Sequence, residues 1–216
     1  MKKISAILFH MFETITISQS IFPFLIIIFS IMLHELAHGY AAYVQGDYTA
    51  HRAGRLTLNP FAHIDMVGSV IVPFLAFLTA GTFFGWAKPV PYNPHNLRTR
   101  TGEAFVASAG ILTNLLIAFM AGVVFKILLL QGVMTESLAK AIFTVLSVNV
   151  SLAFFNLIPI PPFDGMAIIQ ALFPKVTFSQ RMIFNPLYMV GAIITASVLY
   201  GIFAPHLFAL VESILL

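Results

Sequence analysis

Apolar runs long enough to cross a lipid bilayer alternate along this chain with short stretches rich in glycine, proline and charge. A hydrocarbon core of about 30 Å takes about 20 helical residues, with about 17 as the lower limit. By that measure the runs from about Ser18 to Val44, Glu103 to Leu130, Ala141 to Leu157 and Asn185 to Phe203 predict four transmembrane helices. Pro205 is expected to separate the last of them from a short C-terminal segment, because proline removes a helix hydrogen bond. Residues 4–17 mix apolar and polar positions over too short a length to span, which predicts an interfacial helix. Met66 to Trp86 is uncharged but interrupted by Gly68, Pro73, Gly81 and Gly85. It leads into A-K-P-V-P-Y-N-P, where the prolines forbid a regular helix.

The fold class is therefore an all-α polytopic membrane protein with about four transmembrane helices, a broken segment at 66–86 and short interfacial helices. With no internal repeat and no stretch resembling a soluble module, residues 1–216 are expected to form one integral membrane domain. Composition agrees: 59% of residues are hydrophobic and 9% charged, with a mean hydropathy of +0.95, whereas soluble domains carry about 25% charged residues. The formal charge of +3 is small. The basic residues lie in connectors, which suits anionic lipid headgroups and offers no basic face for nucleic acid. Lys2 and Lys3 precede an apolar stretch without a clear cleavage site, so the N-terminus is expected to be retained.

One pattern stands against the apolar background. Ile31 to Tyr40 reads I-M-L-H-E-L-A-H-G-Y, near the end of the first predicted span. Residues four apart project from one helix face, so His34 and His38 suit two ligands of one zinc, with Glu35 placed to take a proton from water. Ionisable groups inside a membrane helix cost about 2.5–3.5 kcal/mol each on insertion scales, which makes them functional candidates by default. The absence of cysteine leaves only histidine and carboxylates to complete a metal site.

The third ligand must come from the eight acidic residues. Glu35 lies between the histidines. Glu13, Glu136 and Glu212 lie in peripheral segments. Asp47 follows the first helix too closely, and Glu103 opens a helix where the dipole favours a carboxylate. Asp65, beside His63, is the runner-up, with a turn or cap as its ordinary reading. Asp164 is favoured: it follows a long uncharged helix, in backbone broken by Pro159, Pro161 and Pro162, with a permissive Gly165 after it. Its ordinary reading is a cap for 165–172. Counting spans constrains this choice. If segment 66–86 crossed fully, Asp164 would lie opposite the histidines; if it dips in and returns, Asp164 joins them. The second option also groups Arg98 and Arg100 with Arg52 and Arg55 on the cytoplasmic side. His51 and His63, with the neighbouring arginines, read as interfacial anchors rather than a second metal site.

Three stretches together resemble the site-2 protease family of zinc intramembrane proteases. H-E-L-A-H supplies His34, Glu35 and His38; S-A-G-I-L-T-N carries Gly110 and Asn114; N-L-I-P-I-P-P-F-D-G carries Asn156, Pro159, Asp164 and Gly165. Phe163 departs from the leucine often found before the aspartate, an apolar exchange. The matched core covers about residues 21–165, leaving 166–216 as a C-terminal helical region. The resemblance implies that segment 66–86 is a membrane-inserted strand or hairpin, and that the chain is a minimal member without PDZ or CBS domains. It implies one zinc ion held by His34, His38 and Asp164, with Glu35 as the catalytic base. Asn114 and Asn156 are candidates for substrate or oxyanion contacts, or for bonds between helices.

The expected reaction is hydrolysis of a peptide bond in or near a transmembrane segment of another protein, in a prokaryotic cell membrane, with the site towards the cytoplasm. The expected partners are that substrate and the bilayer. Two other classes fit buried ligands. A metal-ion transporter would leave Glu35 and the proline-broken Asp-Gly unexplained, and a catalytically inactive helix-binding scaffold would need no base.

Overall fold

The computed structural model describes residues 21–72, 74, 87–99, 101–177 and 185–215. Its long elements are α1 (Ile21–Val44), α3 (Gly102–Leu130), α4 (Glu136–Leu157) and α6 (Pro186–Leu215), with two short helices, α2 (Thr49–Arg52) and α5 (Asp164–Leu172). Among the described residues four helices, Phe22–Val44, Gly102–Leu130, Glu136–Leu157 and Leu187–Leu215, are long and apolar enough to cross a membrane. Among the described residues there is no strand. The expected interfacial helix at 4–17, Arg100, Trp86 and the course of the chain through 73 and 75–86 lie outside the described residues.

α3 is the central element, packing against α1, α4 and α5. Lipid tails are as apolar as leucine, so helix association in a bilayer depends on close packing and polar contacts. Small residues serve that need: Ala118 and Ala121 of α3 lie with Ala139 of α4 around the buried Phe125 and Phe143. The outer faces remain apolar and exposed, as at Leu112, Leu116 and Phe119 of α3, which is the surface a lipid-facing helix presents. α6 is held more loosely, by Ala192 and Ala196, by stacking of Tyr200 on Phe155, and by a 2.7 Å hydrogen bond between Tyr200 and Ser151.

Two expected boundaries shift. The third span begins at Glu136 rather than near Ala141, because Thr135 caps Leu138 N and Glu136 pairs with Lys140 at 2.7 Å, so the first turn carries its own polar partners. The last span continues through Pro205 to Leu215. A full break would expose several backbone groups in an apolar setting, whereas membrane helices tolerate proline because neighbouring helices, hydroxyl side chains and local adjustments satisfy the group it frees.

The site end of the bundle is built from turns. α1 stops where Gly46 adopts φ +97°, with Gly46 N bonded to Tyr43 O and Asp47 N to Ala42 O, the left-handed cap that glycine allows. The chain then forms α2, a 3-10 turn at Pro60–His63 and a π turn at Met66–Ile71. Lys88 N donates to His63 O and Arg98 N to Gln45 O, so residues 87–99 run beside the C-terminal end of α1. The start of α3 and the end of α4 lie at this same end of the bundle, because Asp164 reaches the α1 histidines.

Candidate metal centre

Three side chains from two distant parts of the chain converge inside the bundle. His34 Nε2 and His38 Nε2 are 3.0 Å apart, and Asp164 Oδ2 lies 3.1 Å from the first and 3.2 Å from the second. Both histidines are buried and Asp164 nearly so. A tetrahedral centre with ligands about 2.0–2.1 Å away separates its ligand atoms by about 3.3 Å, so the triangle is within a few tenths of an ångström of that size.

The hydrogen bonds on the far sides of the rings support the same reading. His38 Nδ1 lies 2.7 Å from Val106 O, a backbone carbonyl that can only accept, so the ring proton is on Nδ1 and Nε2 carries a lone pair. His34 Nδ1 lies 2.6 Å from Asn114 Oδ1. Asp164 Oδ2 is buried and has no hydrogen-bond partner. With neutral rings protonated on Nδ1, both Nε2 lone pairs turn towards the Asp164 carboxylate, a donor set that suits a cation, and His34, His38 and Asp164 can hold a metal ion.

Each local fold has a cause. α1 is the long apolar helix that puts the histidines one turn apart. α3 approaches them closely because Gly110 has no side chain: a Cβ there would lie 2.5 Å from His34 Cε1 and 2.6 Å from both Nε2 atoms. Asp164 opens α5 just after the proline-rich break. A Cβ at Gly165 would meet Leu157 O at 2.2 Å, so glycine lets the start of α5 lie against the end of α4. Asp164 is the first residue of α5 rather than its cap, which is Phe163, and its Oδ2 points to the histidines.

The other residues singled out from sequence are placed as follows. Glu35, half-buried, accepts a 2.8 Å hydrogen bond from Val90 N. Asn114 is fully buried between His34 and Asn149, and so holds a histidine rather than facing an open cleft. Asn156 is half-buried and donates to Leu152 O of its own helix. Asp65 takes its ordinary role, accepting from Gly68 N at 2.7 Å to cap the π turn. Two expected interfacial anchors are buried instead. His63 donates from Nε2 to Thr57 O, and Arg55 donates to Lys88 O, so both fasten loops.

Sequence reasoning missed three participants. Val90 N–H reaches Glu35 from a proline-rich stretch that offered only a turn signal. Asp47, set aside as a ligand, is fully buried and accepts from Thr49 N and Oγ1, Asn93 N and Asn96 Nδ2. Burial pushes its carboxyl group up, but the bonds from Asn96, Thr49 and Asn93 outweigh that and hold it below the usual carboxylate range. Asn149 carried the clearest overlooked signal, a carboxamide in the middle of an apolar helix.

Comparison with known proteins points the same way. The sequence model described as peptidase family M50 matches residues 22–198. YwhC of Bacillus subtilis, named as a candidate zinc metalloprotease, is 40% identical over 165 residues, covering 72% of this chain and 71% of that one. Rip2 of Mycolicibacterium smegmatis, similarly named, is 28% identical over 149 residues, or 65% of this chain and 53% of its own length. Rip2 of Mycobacterium tuberculosis is 28% identical over 143 residues, again 53% of its length. The chain thus spans about half the length of the Rip2 proteins. No solved structure gives a significant match.

Proposed function

Because this chain belongs to peptidase family M50, the site-2 proteases, and is an integral membrane zinc metalloprotease, we propose that it hydrolyses a peptide bond in or near a transmembrane segment of another membrane protein. The observation that carries this reading is the convergence of His34, His38 and Asp164 between apolar helices, with Glu35 on the same turn of α1.

In this reading His34, His38 and Asp164 hold one zinc ion and Glu35 is the general base. Bound zinc supplies Lewis acidity towards water and the scissile carbonyl. Glu35 takes a proton from the attacking water as the new C–O bond forms, then delivers it to the departing amine as the C–N bond breaks. The Val90 N–H holds Glu35 Oε2, which limits how the carboxylate can turn. Asn156, at the end of α4, is the remaining asparagine candidate for a substrate contact.

A helical substrate hides its scissile carbonyl in its own hydrogen bonds and must unwind. Addition of the unwound strand to residues 88–91 is disfavoured, since Lys88 N donates to His63 O, Val90 N donates to Glu35, and Pro89 and Pro91 have no N–H. Arg52, Arg55 and Arg98 all lie at the site end of the bundle, which favours the site facing the cytoplasm, and the bacterial relatives favour a prokaryotic cell membrane.

The test replaces Glu35 with Gln in the full chain expressed in its membrane, then compares membrane proteins that accumulate uncut. Cleavage should fall by at least about 100-fold, in line with loss of a general base, while bound zinc is retained. Undiminished cleavage would remove Glu35 from the chemistry, and metal flux unaffected by the substitution would favour a transporter.

A further inference from the structure

His34 and His38 face the same metal-ligand triangle, but their ring protons are secured in different ways. His38 Nδ1 is tied directly to the Val106 carbonyl, which cannot reverse its polarity. His34 Nδ1 is tied to Asn114, and a carboxamide can reverse. Rotated by half a turn, Asn114 would present its NH2 group to Nδ1. The ring proton would then move to Nε2, where the lone pair for zinc must be.

What keeps Asn114 the right way round is a chain of buried polar groups crossing three helices. Asn114 Nδ2 donates to Asn149 Oδ1 at 2.9 Å. Asn149 Nδ2 donates to Val145 O at 2.8 Å and to Ser30 Oγ at 3.0 Å. Ser30, Asn114 and Asn149 are all buried, the two asparagines completely. Val145 O can only accept, so it fixes Asn149 with its NH2 group towards Val145 and its oxygen towards Asn114. That oxygen requires a donor, so Asn114 must turn its NH2 to Asn149 and its oxygen to His34. His34 then donates from Nδ1, leaving the Nε2 lone pair facing Asp164. Every direction in the relay follows from one backbone carbonyl in α4.

We propose that Asn149 is a positioning residue for the metal site, setting the tautomer of His34 through the orientation of the Asn114 carboxamide. The proposal rests on His34 being a zinc ligand. Outer partners of metal-bound histidines typically change metal affinity by about 10–100-fold when replaced. Asn149 is one link further out, and it acts by removing the alternative orientation of Asn114 rather than by touching the ring.

Zinc affinity of the full chain in detergent, measured by chelator competition, tests this with four proteins. His34→Ala should lose zinc; if it keeps wild-type affinity, the ligand assignment falls and the relay with it. Asn149→Leu, branched at the same carbon but bulkier and without polarity, should weaken zinc binding by about 10-fold, the lower end of the range for partners bonded directly to the ligand. Adding Asn114→Asp to Asn149→Leu should restore affinity to within a few-fold, because a carboxylate presents an acceptor to Nδ1 whichever way it turns. Wild-type affinity in Asn149→Leu, alongside loss in His34→Ala, would overturn the role of Asn149 alone. Weakened binding that Asn114→Asp does not rescue would overturn it too, since it would reduce Asn149 to packing. Should Asn149→Leu fail to fold, nitrogen NMR of the wild-type, zinc-free protein with neutral rings decides: His34 should carry its proton on Nδ1, and a predominant Nε2–H form would overturn the proposal.

Discussion

At the scale of single residues, the metal centre depends as much on what is absent as on what is present. Gly110 lies against both imidazoles at distances no side chain permits. Gly110→Ala must therefore push α3 away from α1 or tilt the rings. Overpacking of this kind typically costs about 1–3 kcal/mol, which falls here on ligand geometry and corresponds to about 5–150-fold in zinc affinity. Gly191→Ala is the matched control, because a Cβ there meets nothing within 4 Å, and it should leave zinc binding unchanged. Equal zinc affinity in the two variants, measured by chelator competition, would show that close approach at Gly110 is not needed. The acidic and histidine residues of the site were legible in the sequence because ionisable groups are conspicuous in an apolar helix. Asn149 was just as conspicuous in composition, yet its role was not, since its partners Ser30 and Asn114 lie 119 and 35 residues away.

At the scale of elements, the spans were legible and their joins were not. Apolar length alone locates α1 and α3, whereas the first turn of α4 and the passage of α6 through Pro205 depend on local hydrogen bonding and on the absence of competing water. The turns around the site follow from Asp47, which ties the end of α1 to α2 and to Asn93 and Asn96. Hydrogen bonds to a charged acceptor typically contribute about 1.5–3 kcal/mol each. The folded carboxyl group is held below its ordinary range, so its contribution is complete above the unfolded value of about 3.9. It is lost as pH falls through the lower folded value. Hydrogen exchange at Thr49 and Asn93, corrected for intrinsic rates, should therefore show this junction loosening below about pH 4. In Asp47→Asn the junction should be loosened at neutral pH as well, with the acid-dependent step removed. An unchanged acid step in that variant would assign the titration to another group.

At the scale of the whole molecule, one topological requirement joins the two halves of the site. The α1 histidines and Asp164 meet only if the chain between α1 and α3 begins and ends at the same side of the membrane. Counting spans raised that condition from sequence. In the structure both ends of that connection lie at one end of the bundle, where Lys88 reaches His63 and Arg98 reaches Gln45, while the path through 73 and 75–86 lies outside the described residues. The absence of cysteine makes the condition directly testable, since each introduced thiol is unique. His51 and Thr99 are exposed at the site end, and Gln131 is exposed beyond the other end of α3. An impermeant maleimide should label His51→Cys and Thr99→Cys from one face of sealed vesicles and Gln131→Cys from the other. In vesicles of known orientation the same experiment tells which face is cytoplasmic. Labelling of positions 51 and 99 from opposite faces would place a complete crossing between them, and Asp164 would then be a full bilayer away from His34 and His38.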